Sequence, residues 1–196
     1  MSRLQPVLGT EIVDDIRLGH TWHEYEVLKD FVLEEEPDLF IEIGVHEGGL
    51  SYLLIPEIMN THNPTLYLGI EWDCSIIRPP VIEVYERFKL NKLMCADCFS
   101  DEVADEISKW LGKKIFYCDG GNKALELKHF WTMCNENDII MAHDFHDGIR
   151  KVKGVPEPHP EVLPTDILHL SVNESFERLP EDIFKETRII GFRKIK

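Results

Sequence analysis

The sequence predicts an α/β protein built on one doubly wound, mostly parallel sheet with helices on both faces. Three observations carry this. Five short apolar runs alternate with segments of helical spacing in the order βαβαβαβαβ, the pattern of parallel strands joined by crossover helices. Each interval between runs exceeds the dozen or so residues that a parallel crossover needs. Finally, Glu71, Asp97, Asp119 and Asp144 each fall at or just past the end of a predicted strand. In a parallel sheet those ends share one edge.

The first 20 residues carry no strong element. Trp22, Tyr25, Leu28, Phe31 and Val32 then recur at helical spacing, so residues 21–35 read as an amphipathic helix. Thr21 suits the N-cap, with Glu24 completing a capping box, and Pro37 closes the segment. Residues 38–51, DLFIEIGVHEGGLS, read as a buried strand, a glycine-rich turn and a helix start. Glycine lets a backbone turn tightly and approach a ligand, so Glu42 to Gly49 is the first candidate binding loop. Leu50, Leu53, Leu54, Ile58 and Met59 continue as a helix. Further strands are expected over 65–70, 90–96, 114–118 and 138–142, with helices between them around Tyr85, Ile107 and Phe130. Residues 167–172 and 187–192 are the last strand candidates, the final one antiparallel.

A chain of 196 residues suits one domain. It divides into an N-terminal helical cap (1–36), a binding core (37–145) and a substrate loop with C-terminal strands (146–196). The formal charge of −15 sets most of the surface against nucleic acid and anionic membranes. Arg188, Arg193, Lys194 and Lys196 are the one candidate basic patch. No apolar run approaches the length of a membrane span, and the N-terminus lacks a signal-peptide core, so a cytoplasmic location is expected. The five cysteines are odd in number and scattered, which argues against a disulfide framework. Cys95 and Cys98 form a lone CxxC, a weak signal for zinc or redox use.

Two chemistries fit the acids gathered at the strand ends. Glu71 ends the second strand, one unit after the glycine loop, where an acid can accept from a ribose diol. Asp119, His143 and Asp144 offer two carboxylates and an imidazole to a divalent metal, and His146 and Asp147 extend the run HDFHD.

The ordered motifs IEIGVHEGG, YLGIEWD, CADCF, FYCDGGNK and IIMAHDF resemble those of class I S-adenosylmethionine-dependent methyltransferases over about residues 38–145. The likeness is greatest to the metal-dependent small-molecule O-methyltransferases and the related cephalosporin-hydroxylase-like proteins. It implies a Rossmann-like domain. It also implies that Glu42, Gly44, His46, Gly48, Gly49, Glu71, Trp72, Asp97, Cys98 and Asp119 form the cofactor site. Glu71 would accept from the ribose hydroxyls, and Asp97 would lie near the adenine. Asp119, His143 and Asp144 match the family's metal positions, with magnesium expected first and manganese or iron as alternatives. The methyl acceptor would be a hydroxyl of a small molecule.

The chain also departs from the pattern. Where relatives often carry a histidine or lysine base, it has Asn122, followed by Lys123. Asn122 cannot take a proton, and an acidic cleft works against a neutral Lys123. His146 and His143 are the other candidate bases. Two alternatives stay open beside methyl transfer: a metal-dependent hydroxylase-like enzyme, and a silent cofactor-binding module. A dinucleotide dehydrogenase is disfavoured, because the glycines at 44, 48 and 49 miss the G-x-G-x-x-G spacing. The acceptor and the oligomeric state, a homo-oligomer included, are not legible.

Overall fold

The computed structural model describes residues 11–147 and 161–196. Its centre is a seven-stranded sheet in the order β5-β4-β3-β6-β7-β9-β8. Strands β3 (Leu39–Ile43), β4 (Leu66–Glu71), β5 (Lys92–Cys95), β6 (Lys114–Cys118) and β7 (Ile139–Ala142) are parallel. β9 (Ile190–Lys194) runs antiparallel to both β7 and β8 (Phe176–Arg178). The predicted architecture, including the antiparallel closing strand, is what forms.

Alternation along β3 assigns the two faces. Phe40 packs with Leu28 of α1 (Trp22–Glu35), Leu54 of α2 (Gly49–Met59) and Val81 of α3 (Pro79–Arg87). Leu39, Ile41 and Ile43 pack on the other side with Val103 of α4 (Asp101–Ser108), Leu127 of α5 (Lys123–Phe130) and Leu170 of α6 (Leu168–Ser171). Burial on both faces explains why β3 and β6 read as near-continuous apolar runs. The chain winds from β3 outward to β5 and then returns to place β6 beside β3. Ligands of open α/β sheets sit at such a switch point, outside the carboxyl ends of the strands.

Three expectations need correction. Residues 11–20 hold a short hairpin, β1 (Ile12–Val13) with β2 (Ile16–Arg17). Its turn residues Asp14 and Asp15 both have positive φ, the geometry of a type I′ turn, whose usual signal is a glycine. Residues 168–171 form a helix and not a strand. Ile167 and Leu170 are buried at helical spacing while Leu168 faces out.

The third correction concerns the cysteines. Cys74 and Cys95 form a disulfide with a Cα–Cα separation of 5.6 Å. It ties the 3₁₀ turn after β4 (Cys74–Ile76) to the end of β5. Cys95 is thereby removed from the CxxC pair, and the Cys98 thiol is pushed up to about 12 by burial and then by Glu126 and Asp97. A disulfide is at home in oxidising compartments, which the cytoplasmic expectation does not anticipate. The bridge spans 21 residues, and closing a loop of that size contributes about 3 kcal/mol. Cys74→Ser should therefore lose about 3 kcal/mol of unfolding free energy in urea without reductant. Reductant should impose the same loss on the parent, and an unchanged parent midpoint would show that the bridge contributes nothing.

Candidate functional site

The turn after β3 begins at Gly44, with φ of +88°. A Cβ there would stand 2.4 Å from the Gly120 Cα, so only glycine lets the β3 and β6 loops meet. Gly48 and Gly49 serve packing: a Cβ on Gly48 would strike Val81, and one on Gly49 would strike the Arg17 carbonyl. Neither is among the residues lining the cavities described here. His46 also takes a left-handed backbone, at φ +55°. Its N–H donates to Glu71 Oε2 at 2.8 Å, and the Asp73 N–H donates to Oε1 at 3.1 Å.

Around this turn lies a cavity of about 630 Å³ at the switch point. Its walls include Gly44, His46, Glu71, Trp72, Asp97, Cys98, Asp119 and Asn122. Trp72 is 81% exposed, an aromatic face held at the rim. Asp97 accepts from the Phe99 N–H at 3.0 Å. Asn122 caps α5 by accepting from the Leu125 N–H. Glu126, missed in the sequence, accepts from the Gly120 and Asn122 amides and so fixes the loop after β6.

A second cavity of about 280 Å³ shares Gly44, His46 and Asp119 and adds Leu18, Gly19, Glu42, His143 and Asp144. Glu42 lies fully buried beneath the turn, where it accepts from Ser51 Oγ at 2.6 Å and the Tyr67 hydroxyl at 2.7 Å. Burial raises its pKa to about 8, against the two hydrogen bonds. The folded state thus holds a proton that the unfolded chain releases near pH 4.5, so this group's contribution to stability declines from about pH 4.5 to about 8. Glu42→Gln mimics the neutral acid. Its unfolding free energy should gain on that of the parent across this window, and parallel urea titrations at several pH values will check it.

Asp119, just past β6, is the centre of the second cavity. His143 Nδ1 lies 3.1 Å from its Oδ1, His20 Nε2 lies 3.4 Å from its Oδ2, and Lys123 Nζ lies 3.6 Å away. Burial opposes ionisation, but the field of His143, His20 and Lys123 holds the carboxyl at about 2. His143 is raised to about 9, mainly by Asp119 against its own burial. Burial and the neighbouring His143 lower the pKa of His20. Lys123 is buried, but Asp119, Asp144 and Glu161 raise its pKa. These pairings favour the charged form of Lys123, the opposite of what a base needs.

Asp144, a candidate ligand in the sequence, lines the same cavity 3.6 Å from His143 Nδ1 and is paired with two cations. Its Oδ1 receives Arg188 Nη1 at 2.6 Å, and its Oδ2 lies 3.2 Å from Lys123 Nζ. Arg188 also donates from Nε and Nη2 to the buried Glu24 at 2.9 Å each. Arg193 pairs with Glu35. Two members of the candidate basic patch are thus committed to internal pairs. Among the described residues, His20, Asp119 and His143 are the three whose ligand atoms lie within 4.8 Å of one another. His20 was missed because it precedes α1 in a segment without pattern. His146 lies at the edge of the described residues, and the loop 148–160 falls outside them.

No protein-family model matches the chain, and no curated protein matches it. Solved structures do. Apo CmcI aligns at a TM-score of 0.70 with 14% identity, over 94% of this chain and 76% of that one. An O-methyltransferase from Bacillus cereus in complex with SAH aligns at 0.59 with 11% identity, over 90% and 82%. The O-methyltransferase TomG from Streptomyces achromogenes, involved in tomaymycin synthesis and in complex with SAM, aligns at 0.61 with 10% identity, over 91% and 82%. The fold is the Rossmann-like methyltransferase fold.

Proposed function

We propose that this protein transfers the methyl group of S-adenosylmethionine to a hydroxyl of a small molecule, beside a divalent metal ion. The observation that carries the reading is the 630 Å³ cavity at the switch point, into which Glu71, Asp97 and Asp119 converge around the Gly44 turn. The neighbours support it: TomG is bound to SAM, and CmcI has been solved with magnesium and SAM.

The residues fit the cofactor. Each Glu71 oxygen accepts one loop amide and keeps a lone pair for a ribose hydroxyl. Trp72 offers a flat apolar face to the adenine, with Asp97 and Cys98 at its polar edge. Asp119 stands between the two cavities, where the sulfonium end and the acceptor would meet. When bound, the cofactor supplies an electrophilic methyl group and the ion favours a deprotonated hydroxyl. The chain's own part is to align the two reactants, which supplies much of the rate gain in such a transfer. Lys123 remains a cation that orients Asp119 and Asp144.

Equilibrium binding of labelled cofactor, followed by methyl transfer to catechol, sugar and macrolide diols with and without metal, tests the reading. Glu71→Ala should weaken cofactor binding by about 10-fold or more, as expected for lost hydrogen bonds to a charged group. Binding without transfer to any acceptor would point to a silent module, and no binding would overturn the reading.

A further inference from the structure

The strand-end acids alone suggested an oxygen-rich metal site, but the tertiary structure gathers a different set. We propose that His20, Asp119 and His143 form a site for an imidazole-preferring divalent transition ion, of the zinc, cobalt or ferrous class, with Asp144 outside it. The proposal deepens the methyl-transfer reading and rests on it only for the ion's place beside the acceptor.

Four observations carry the argument. The spacing allows a shared ion: one ligand atom from each of the three residues lies within 4.8 Å of the other two, with His143 Nδ1 3.1 Å from Asp119 Oδ1 and His20 Nε2 3.4 Å from its Oδ2. The His20 tautomer is right too. Its Nδ1 lies 3.0 Å from the Leu18 carbonyl, which can only accept, so the proton sits on Nδ1. That leaves the Nε2 lone pair facing Tyr117 and the Asp119 carboxylate. The Tyr117 hydroxyl, 2.7 Å away, donates to this lone pair, and a bound ion would take its place while the Asp119 carboxylate stands 3.4 Å off.

His143 is oriented in the same sense. Its Nδ1 faces Asp119, while Nε2 points away to the buried Glu24 at 3.5 Å and has no hydrogen-bond partner. A carboxylate behind a ligating imidazole fixes its orientation and raises its basicity. Asp144, the remaining strand-end acid, is neutralised by Arg188 and Lys123. Two imidazoles and one carboxylate suit zinc or iron, whereas magnesium prefers oxygen ligands.

The test uses the full chain, stripped with chelator and titrated separately with zinc, cobalt and magnesium. Zinc and cobalt should bind one per chain, at least about 100-fold tighter than magnesium, and cobalt should give visible d–d bands. His20→Gln should weaken zinc binding by at least about 10-fold, while Asp144→Asn changes it by less than about 3-fold. X-ray absorption at the zinc edge of the unmutated protein counts imidazole ligands without relying on any variant's fold. Two imidazoles support the site, and fewer than two overturn it. So do the absence of zinc and cobalt binding, magnesium binding as tightly as zinc, or Asp144→Asn losing more than His20→Gln. Titrating S-adenosylmethionine into the same zinc-loaded protein reports separately on the methyl-transfer reading, so either can fail without the other.

Discussion

Glu24→Ala is expected to lower the unfolding free energy by about 3–5 kcal/mol, the cost of breaking a buried pair by removing one partner. Glu24 is fully buried, and its two oxygens receive three donations from Arg188, counting the backbone N–H. It also closes the capping box of α1 by accepting from the Thr21 N–H at 2.9 Å, and its loss adds to the damage. Asp144 would remain to Arg188, which places the expected value toward the lower end. Burial would raise the Glu24 carboxyl, but His143 and Arg188 hold it far below its ordinary 4.5. A depressed folded pKa contributes stability that is present above the unfolded value and lost as pH falls below it. The advantage of the parent over Glu24→Gln should therefore shrink as pH drops below about 4.5. Urea melts of both proteins at several acidic pH values measure this directly. A constant gap between them would mean that Glu24 acts by packing and not by charge.

Asp119→Ala should reduce the rate of methyl transfer by at least about 100-fold, more than the loss of an outer partner of a metal site typically causes. Cofactor affinity should change by less than about 3-fold, because in the proposed function Glu71 and the glycine turn would carry the ribose. Asp119 ties the two cavities together and faces His20, His143 and Lys123. With its carboxyl held at about 2, it stays ionised throughout the working pH range and serves as a fixed anion. Single-turnover transfer and cofactor binding, measured on the same preparation, separate the two effects. Full activity in Asp119→Ala would eliminate a metal at this position from the reaction.

The sheet was legible because strands buried on both faces leave near-continuous apolar runs, and LFIEI and KIFYC are such runs. The capping box of α1 was legible because both of its partners lie within one turn. The short helix at 168–171 was not, since four residues carry too little periodicity to separate a helix from a strand. The Cys74–Cys95 bridge was also hidden, because pairing depends on the distance between two strand ends and not on spacing along the chain.

The candidate site divides along the same line. By itself the sequence determined which strand ends carry acids and where the glycine-rich turn falls, since the succession of strands and helices follows from local pattern. That Gly44 must be glycine is already a tertiary fact, as the approach of Gly120 leaves no room for a Cβ. Only the tertiary structure decided which side chains face one another. It brought His20 across 97 residues to Tyr117. It also brought Arg188 across 164 residues to Glu24 and set two cations, Arg188 and Lys123, against Asp144. The physical reason is that charges and lone pairs in a buried cluster choose partners by distance and desolvation, and neither is written in the order of residues along a chain.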